Sequence, residues 1–436
     1  MTCRGAFFIF AVTLSAMAQG SCGDGASSCT PGASIACACT DGHMGAQECG
    51  SDGTFGMCTC DPGPLDSGAP LQDGSGPRDA GPLADTGMSV DARAPGDSGV
   101  PPAVDIVAID LGEETTCVAK RDGSAWCWGR GLSPSPTLLA GATAVVDVGP
   151  GYNHYCIVEA TGGVGCMGDN SQNQLGHGSD VPSSPTLVSA VGLSDATTVT
   201  GGHSHTCALR RSGAVSCWGD RGRGQAGNRI DSGSFSTNQR IPVDMAGIAT
   251  ATQVEAGGNH TCALLSAGSV ACWGGNYEYQ LGNGTSTDSA AAVPVIGLTD
   301  AIHIAASASH NCAAKGDGSV VCWGRGVGLL TPVVGVDDAV EAASGEASAC
   351  ARSATGAVSC WGGNFFGQLG DGTSTDSPTP VAVSGLVDAV LIASGARHAC
   401  AVRATGQVVC WGDNSEGQVG DGSTLTRRVP TAVVFP

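Results

Sequence analysis

HTCALLSAGSVACWG, residues His260–Gly274, holds two cysteines ten positions apart, a glycine-bearing turn signal between them and a Trp-Gly pair directly behind the second. The apolar runs on either side of "LSAGS" read as the arms of a β-hairpin. With the turn centred near Ala267, Cys262 and Cys272 stand opposite each other on antiparallel strands, about 4.5 to 5.5 Å apart at Cα. A disulfide spans that separation. Side chains alternate along a strand, so Trp273, the next residue, points to the other face of the unit.

The pattern recurs. Cysteines ten apart stand at Cys117 and Cys127, Cys156 and Cys166, Cys207 and Cys217, Cys262 and Cys272, Cys312 and Cys322, Cys350 and Cys360, and Cys400 and Cys410, with successive pairs 38 to 55 residues apart. A period of this length signals stacked or radially arranged units. Each unit runs from an alternating apolar stretch such as "TQVEAG" through the stapled hairpin and a Gly/Asn loop to a Pro-containing stretch such as "AAVPVIGL", which makes three or four short strands. Each staple closes a short loop and contributes roughly 2 to 3 kcal/mol on the chain-entropy model. The residue behind the second cysteine is Trp128, Trp218, Trp273, Trp323, Trp361 or Trp411, with Met167 in the second unit. These side chains read as wedges between neighbouring units, the glycine behind each allowing close backbone approach.

The motif G-x-x-HTCAL-x-x-x-G-x-V-x-CWG-x-N-x-x-GQLG-x-G, nearly complete from Gly257 to Gly284 and again from Gly345 to Gly372, resembles the regulator of chromosome condensation repeat. The resemblance covers residues 104–436, about three quarters of the chain, and implies an all-β, seven-bladed β-propeller with one unit per blade. Blades one and five are short, since "WGRG" at 128–131 and at 323–326 runs on without the "GQLGDG" loop. The cysteine staples depart from intracellular members of the family, as an exported version would. The family's nucleotide-exchange and light-sensing roles do not carry over: an exported chain meets no cytosolic GTPase, and the tryptophans form no cluster beyond Trp126 beside Trp128.

Residues 1–18 read as a signal peptide. Arg4, an apolar stretch from Ala6 to Leu14 and the small-x-small Ala16, Met17, Ala18 precede the expected cleavage. Export brings oxidising conditions, in which disulfides are the default state of cysteine. Residues 19–60 form a Cys-rich module with Cys22, Cys29, Cys37, Cys39, Cys49, Cys58 and Cys60, an odd number that leaves one cysteine over. Cys22 lies where a bacterial lipoprotein carries its lipid-modified cysteine, although Gln19 stands where leucine is usual. Lipidation and a free or intermolecular thiol are the two readings. Residues 61–103, rich in Pro, Gly, Ala and Asp, read as a disordered acidic linker that holds the propeller away from the cell. Residues 104–436 are the propeller, and the tail "RRVPTAVVFP" is a candidate to complete a blade with the segment near "VDIVAIDLG".

A formal charge of -20 and only two lysines, Lys120 and Lys315, set the chain against phosphate backbones and anionic membranes. No nucleic-acid partner is expected, and no membrane contact beyond a lipid anchor. No nucleophile elbow, phosphate loop or paired-carboxylate motif stands out, so neither catalysis nor a cofactor is expected. His154, His205, His260, His310 and His398 each precede the first cysteine of a unit by two. They read as hydrogen-bonded structural histidines rather than a metal site. The Cys-x-Cys pairs Cys37 with Cys39 and Cys58 with Cys60 likewise favour disulfides over zinc. "GNGTSTD" (282–288) and "GDGTSTD" (370–376) read as Asx turns. What differs between units lies on loops: Tyr277 and Tyr279 in "NYEYQ", Phe365 and Phe366 in "NFFGQ", and Arg221, Arg223 and Arg229 in "DRGRGQAGNR". Such residues on a rigid scaffold favour protein binding, or fold back over the blade edges. The expectation is a non-catalytic, secreted or surface-displayed monomer that binds an extracellular protein through its blade loops. A glycan-binding or carbohydrate-active propeller and a structural envelope protein are the alternatives.

Overall fold

The computed structural model describes residues 104–227 and 238–436 in full, and the strands Ser34–Ala38 and Met44–Glu48 as backbone. These two strands pair antiparallel, Cys37 opposite Gly45. The expected signal segment, Cys22, the bridges of the Cys-rich module, the linker 61–103 and Arg229 lie outside the described residues.

From Val104 onward the described chain is built of strands and turns. Seven four-stranded sheets follow one another, each an antiparallel meander of consecutive strands. Blade 1 comprises Ile106–Leu111, Thr115–Lys120, Ala125–Gly129 and Thr137–Leu138. Blade 2 comprises Val145–Pro150, His154–Glu159, Val164–Asp169 and Ser183–Ser189. Blade 3 comprises Ala196–Gly201, His205–Arg210, Val215–Gly219 and Gln239–Asp244. Blade 4 comprises Ala251–Ala256, His260–Leu265, Val270–Gly274 and Ser289–Pro294. Blade 5 comprises Ala301–Ala306, His310–Lys315, Val320–Gly324 and Gly328–Pro332. Blade 6 comprises Ala339–Ser344, Ser348–Ser353, Val358–Gly362 and Ser377–Ala382. Blade 7 comprises Ala389–Ser394, His398–Arg403, Val408–Gly412 and Arg427–Ala432. The first strands of successive blades abut, and that of blade 7 meets that of blade 1. The architecture is a closed seven-bladed propeller with the first strands around the axis.

Each cysteine pair sits directly across the hairpin of its second and third strands, as in Cys262 opposite Cys272. Disulfides join Cys117 to Cys127, Cys156 to Cys166, Cys207 to Cys217, Cys262 to Cys272, Cys312 to Cys322, Cys350 to Cys360 and Cys400 to Cys410. Their Cα separations of 4.0 to 4.2 Å are tighter than the expected spacing. The turn explains the closeness. Leu265 N donates to Ser269 O at 2.9 Å, so alternation along the ladder puts Cys262 and Cys272 at a non-hydrogen-bonded position, where strands approach most closely.

The cores lie between blades. The bridge of one blade and the tryptophan of the next enter the same apolar cluster, as Cys207 and Cys217 do with Trp273, or Cys262 and Cys272 with Trp323. The glycine behind the tryptophan has a positive φ and no room for a side chain: a Cβ on Gly274 would lie 2.7 Å from the Asn259 carbonyl oxygen.

A shared carbonyl holds five of the seams. Indole Nε1 of Trp218, Trp273, Trp323, Trp411 and Trp128 donates to the backbone oxygen of Gln174, Gln225, Gln280, Gln368 and Gln418 of the preceding blade, at 2.7 to 3.0 Å. In four of these seams a second donor reaches the same oxygen: the hydroxyl of Thr206, Thr261 or Thr116, or the amide of Asn311. Those groups in turn accept from histidine. His154, His205 and His398 Nε2 meet the Oγ1 of Thr206, Thr261 and Thr116 at 2.8 to 2.9 Å, and His260 Nε2 meets Asn311 Oδ1 at 2.7 Å. Because each hydroxyl proton is already committed to a glutamine carbonyl, the histidine carries its proton on Nε2.

The short blades break this relay together with their neighbours. Blade 1 lacks the glutamine, and blade 2 places Met167 where tryptophan is usual, with Tyr155 OH donating to Arg130 O at 3.0 Å instead. Blade 5 also lacks the glutamine. Blade 6 follows it with Ala349 in place of threonine and with Trp361, which alone of the six wedges retains 8% exposure. His310 is turned as well. The glycines that seat the other rings are so close that a Cβ on Gly151, Gly202, Gly257 or Gly395 would fall 2.1 to 2.4 Å from histidine Cε1. Blade 5 carries Ser307 there, and His310 Nδ1 bonds the Ser344 hydroxyl at 2.9 Å.

The tail corrects one expectation. Arg427–Ala432 pairs with Val408–Gly412 in its own blade and not with Ile106–Leu111, whose partner is Thr115–Lys120. A strand closing on its immediate neighbour in sequence closes only a short loop. Every blade is therefore one uninterrupted stretch of chain, and the ring closes without a shared strand, through side chains and backbone hydrogen bonds such as Ala396 N to Glu113 O at 3.2 Å across the seam between blades 7 and 1. Beyond the last strand, Phe435 packs edge-on against Trp126 and Trp128 with centroids 6.0 Å apart.

Peptide mapping without reductant is expected to link Cys262 only to Cys272, and likewise within each other pair; a linkage between blades would refute the hairpin staple. Replacing Cys262 and Cys272 by serine should cost about 2 to 3 kcal/mol in chemical denaturation. Burial holds the imidazoles of His154, His260 and His310 down to about 4 and those of His205 and His398 down to about 3. The unfolded chain takes up these protons with a pKa of about 6.5, so the stability is complete above that pH and is lost as pH falls towards 4 and 3. A melting temperature that falls steeply from pH 6.5 to 4, and less steeply in His154→Gln, is the expected result.

Candidate functional site

The second strand of each blade starts, and the third ends, at one end of the propeller. The turn into the second strand and the loop after the third therefore open on a single face. That face collects nearly all the variable residues. The two lysines sit at the other end, where Lys120 pairs with Asp105 at 3.6 Å and Lys315 with Asp300 at 3.1 Å.

Buried asparagines make the long loops rigid. In blade 4, Asn276 Oδ1 accepts Leu281 N at 2.9 Å, its Nδ2 donates to the Thr285 and Thr287 carbonyls at 2.8 and 3.0 Å, and its own N–H is taken by Asp288 at 2.7 Å. Asn364 repeats these roles in blade 6 with Leu369, Thr375 and Asp376, and Asn170 and Asn414 anchor blades 2 and 7. The expected Asx turns are present, Asn283 accepting Thr285 N and Asp371 accepting Thr373 N. Three residues between asparagine and glutamine form a tip, closed by the glutamine side chain accepting the middle N–H, as Gln280 does from Glu278 and Gln368 from Phe366. The same glutamine thus fixes a tip with its side chain and the next blade with its backbone.

The tips read Tyr277-Glu278-Tyr279 in blade 4, Phe365-Phe366-Gly367 in blade 6, Gly222-Arg223-Gly224 in blade 3, Ser171-Gln172-Asn173 in blade 2 and Ser415-Glu416-Gly417 in blade 7. Tyr277 and Phe365 stand out at 76% and 78% exposure. Phe366 folds back, edge-on to Phe365 and beneath Arg397, whose guanidinium lies 5.2 Å from its ring centre. Tyr279 occupies a left-handed position, φ +64°, where other tips carry glycine or asparagine. Arg223 reaches Asp288 of blade 4 at 3.3 Å. Arg221 takes the place of the anchoring asparagine, half-buried at the loop base rather than at the tip.

An inner rim encircles the axis inside the tips, and single-unit reading does not reveal it. Glu114 pairs with Arg130, Arg130 lies 4.4 Å over the Tyr152 ring, Tyr152 stacks on His203 at 5.3 Å, and His203 bonds Glu113. That hydrogen bond raises the His203 pKa above its ordinary value. On the opposite side Arg325 and Arg397 share Glu346, each at 3.3 Å. All but the Glu114–Arg130 pair cross from one blade to another, so no single repeat contains them. Below the rim, Gly112, Gly151, Gly202, Gly257 and Gly395 help line an axial cavity of about 40 Å³. That volume holds a few waters, whereas small-molecule sites start near roughly 300 Å³. Deeper still, burial, then Glu255, raises the Asp110 carboxyl well above its usual range.

The histidines occupy separate seams and do not converge on a common ligand. His310, Cys312 and Cys322 place ligand atoms within 4.8 Å of one another, but the two sulfurs form a disulfide and offer no thiolate.

Family models of the regulator of chromosome condensation repeat match residues 161–209, 212–264, 267–314 and 355–402, and, in a second form, 196–225, 251–280 and 389–418. Protein pim1 of Schizosaccharomyces pombe is 31% identical over 177 residues, 37% of this chain and 32% of that one. The ultraviolet-B receptor UVR8 of Arabidopsis thaliana is 31% identical over 200 residues, 42% of this chain and 44% of the receptor. The matched regions thus span less than half of either relative. Among solved structures, human WBSCR16 superposes with a TM-score of 0.64 at 22% identity, covering 70% of this chain and 85% of that one. Prp20p of Saccharomyces cerevisiae superposes at 0.61 and 18% identity, covering 77% and 87%. With seven sequential blades, their stapled hairpins and the matched repeats, the chain belongs to the regulator of chromosome condensation repeat family.

Proposed function

We propose that this protein is a non-catalytic recognition module that binds a protein partner through its loop face, outside the cytoplasm. The observation that carries the reading is the set of tips: each is clamped by the same glutamine, while its side chains change from Tyr277 and Tyr279 to Phe365 to Arg223. Aromatic and arginine side chains held on rigid supports lose little entropy on binding. Relatives support the general role, since Prp20p is described with its binding to Gsp1p and histones and in complex with Kap60. Export is supported by the N-terminal apolar stretch and by seven bridges, which persist in oxidising compartments. The narrow axial cavity favours a protein surface over a sugar ring as the ligand.

Immobilised full-length protein should capture a partner from culture and envelope fractions. The double variant Tyr277→Ala, Phe365→Ala is expected to keep its melting temperature, because both side chains are exposed, and to weaken capture at least tenfold. Unchanged capture would remove these tips from the binding surface, and selective retention on a glycan array would replace the protein partner by a carbohydrate.

A further inference from the structure

The two short blades leave two gaps in the ring of loops, and the gaps differ. At blade 1 the connection 130–136 fills its own gap: Pro134 lies so close to blade 7 that a Cβ on Gly417 would be 2.5 Å from it, and its carbonyl accepts Gly422 N at 3.1 Å. At blade 5 the connection shrinks to Arg325–Val327. A Cβ on Gly326 or Gly328 would meet open space, and Val327 and Leu329 are exposed.

Three features around the blade 5 gap are unlike the rest of the molecule. First, the Trp361 indole N–H lacks the glutamine carbonyl that its five counterparts bond, and Ala349 leaves the neighbouring hydroxyl position apolar. Second, the flanking tips are the aromatic ones, Tyr277 and Tyr279 on blade 4 and Phe365 on blade 6. Tyr279 holds a left-handed backbone, φ +64°, and keeps 43% exposure, so its ring is available at the edge of the gap. Third, Arg325 and Arg397, both about half-exposed, share the single carboxylate of Glu346, which leaves the inner end of the gap positive.

Building on the loop-face reading above, we infer that the gap over blade 5 is a peptide-docking groove. It takes an extended, carboxylate-bearing segment of a partner protein, one backbone carbonyl of which accepts the Trp361 indole N–H in place of the missing glutamine carbonyl. The partner supplies in trans what the neighbouring blades supply in cis. The aromatic walls suit a segment with proline or aliphatic side chains, and the guanidiniums take its carboxylate in charge-assisted hydrogen bonds.

A fluorescein-labelled twelve-residue peptide of alternating proline and aspartate, titrated by anisotropy against the full-length protein, tests this, with a proline-lysine peptide as control. Saturable binding of the acidic peptide below about 1 mM and none of the basic one is expected. Trp361→Phe, which keeps the wedge and removes the N–H, should weaken it about threefold to tenfold. Arg325→Glu should abolish it. Grafting the blade 6 loop Gly363–Asp376 between Gly324 and Gly328 should also abolish it while raising the melting temperature; if that graft fails to fold, the two point variants decide. Equal binding of the basic peptide, no saturation by 1 mM, or unchanged affinity in folded Trp361→Phe and Arg325→Glu overturns the groove. A partner captured from culture that still binds the grafted protein also overturns the groove and leaves the loop-face reading standing.

Discussion

In five of the seven seams, one backbone carbonyl ties each blade to the next. The oxygen of Gln174, Gln225, Gln280, Gln368 or Gln418 accepts the indole N–H of the following blade and, in four seams, a hydroxyl or amide as well. A buried indole donor left unpaired would cost on the order of 1 to 3 kcal/mol. The loop that carries the glutamine is therefore part of the fold, not an appendage. Where blades 1 and 5 lose the loop, the following blade loses the tryptophan, as at Met167, or leaves it partly open, as at Trp361.

Rigidity and variability then reside in the same loop without conflict. The loop backbone is held by the asparagine and the glutamine, so the first two tip residues are free to vary, while the third keeps a left-handed backbone. Tyr277 and Phe365 project because nothing in the scaffold calls for them. His154, His205, His260 and His398 serve the opposite end of the scale: buried, neutral and proton-bearing on Nε2, they complete a polar relay between blades, and a second proton on Nδ1 would bury a charge that has no partner there.

Much of this was legible in the sequence. The ten-residue cysteine spacing set the hairpin and its register, from Cys117 with Cys127 in the first blade to Cys400 with Cys410 in the last. The Trp-Gly pairs set the wedge between blades, and the abbreviated "WGRG" segments marked the short blades. What could not be read was the set of relations between units. His154 and Thr206 are 52 residues apart, and the acceptor that matters most is a main-chain oxygen, which leaves no trace in side-chain chemistry. Arg221 and Arg223 look equivalent in "DRGRG", yet one replaces a loop anchor and the other stands on a tip. Phe366 likewise separates from Phe365 only once Arg397, brought round from the next blade, covers it. The tail misled because its apolar alternation suits any open strand edge, and only the shorter closure within blade 7 decides among them.

Because no strand crosses from one blade to another, the circle has a single point at which covalent continuity is absent: the seam where Gln418 meets Trp128 and His398 meets Thr116. Tension applied to the two ends of the chain would part that seam first, while each disulfide-clasped sheet stayed intact. The molecule would open into a row of linked plates instead of unravelling. Pulled in this way, it would lose its curvature before it lost its folded units, and could regain the ring once the load was released.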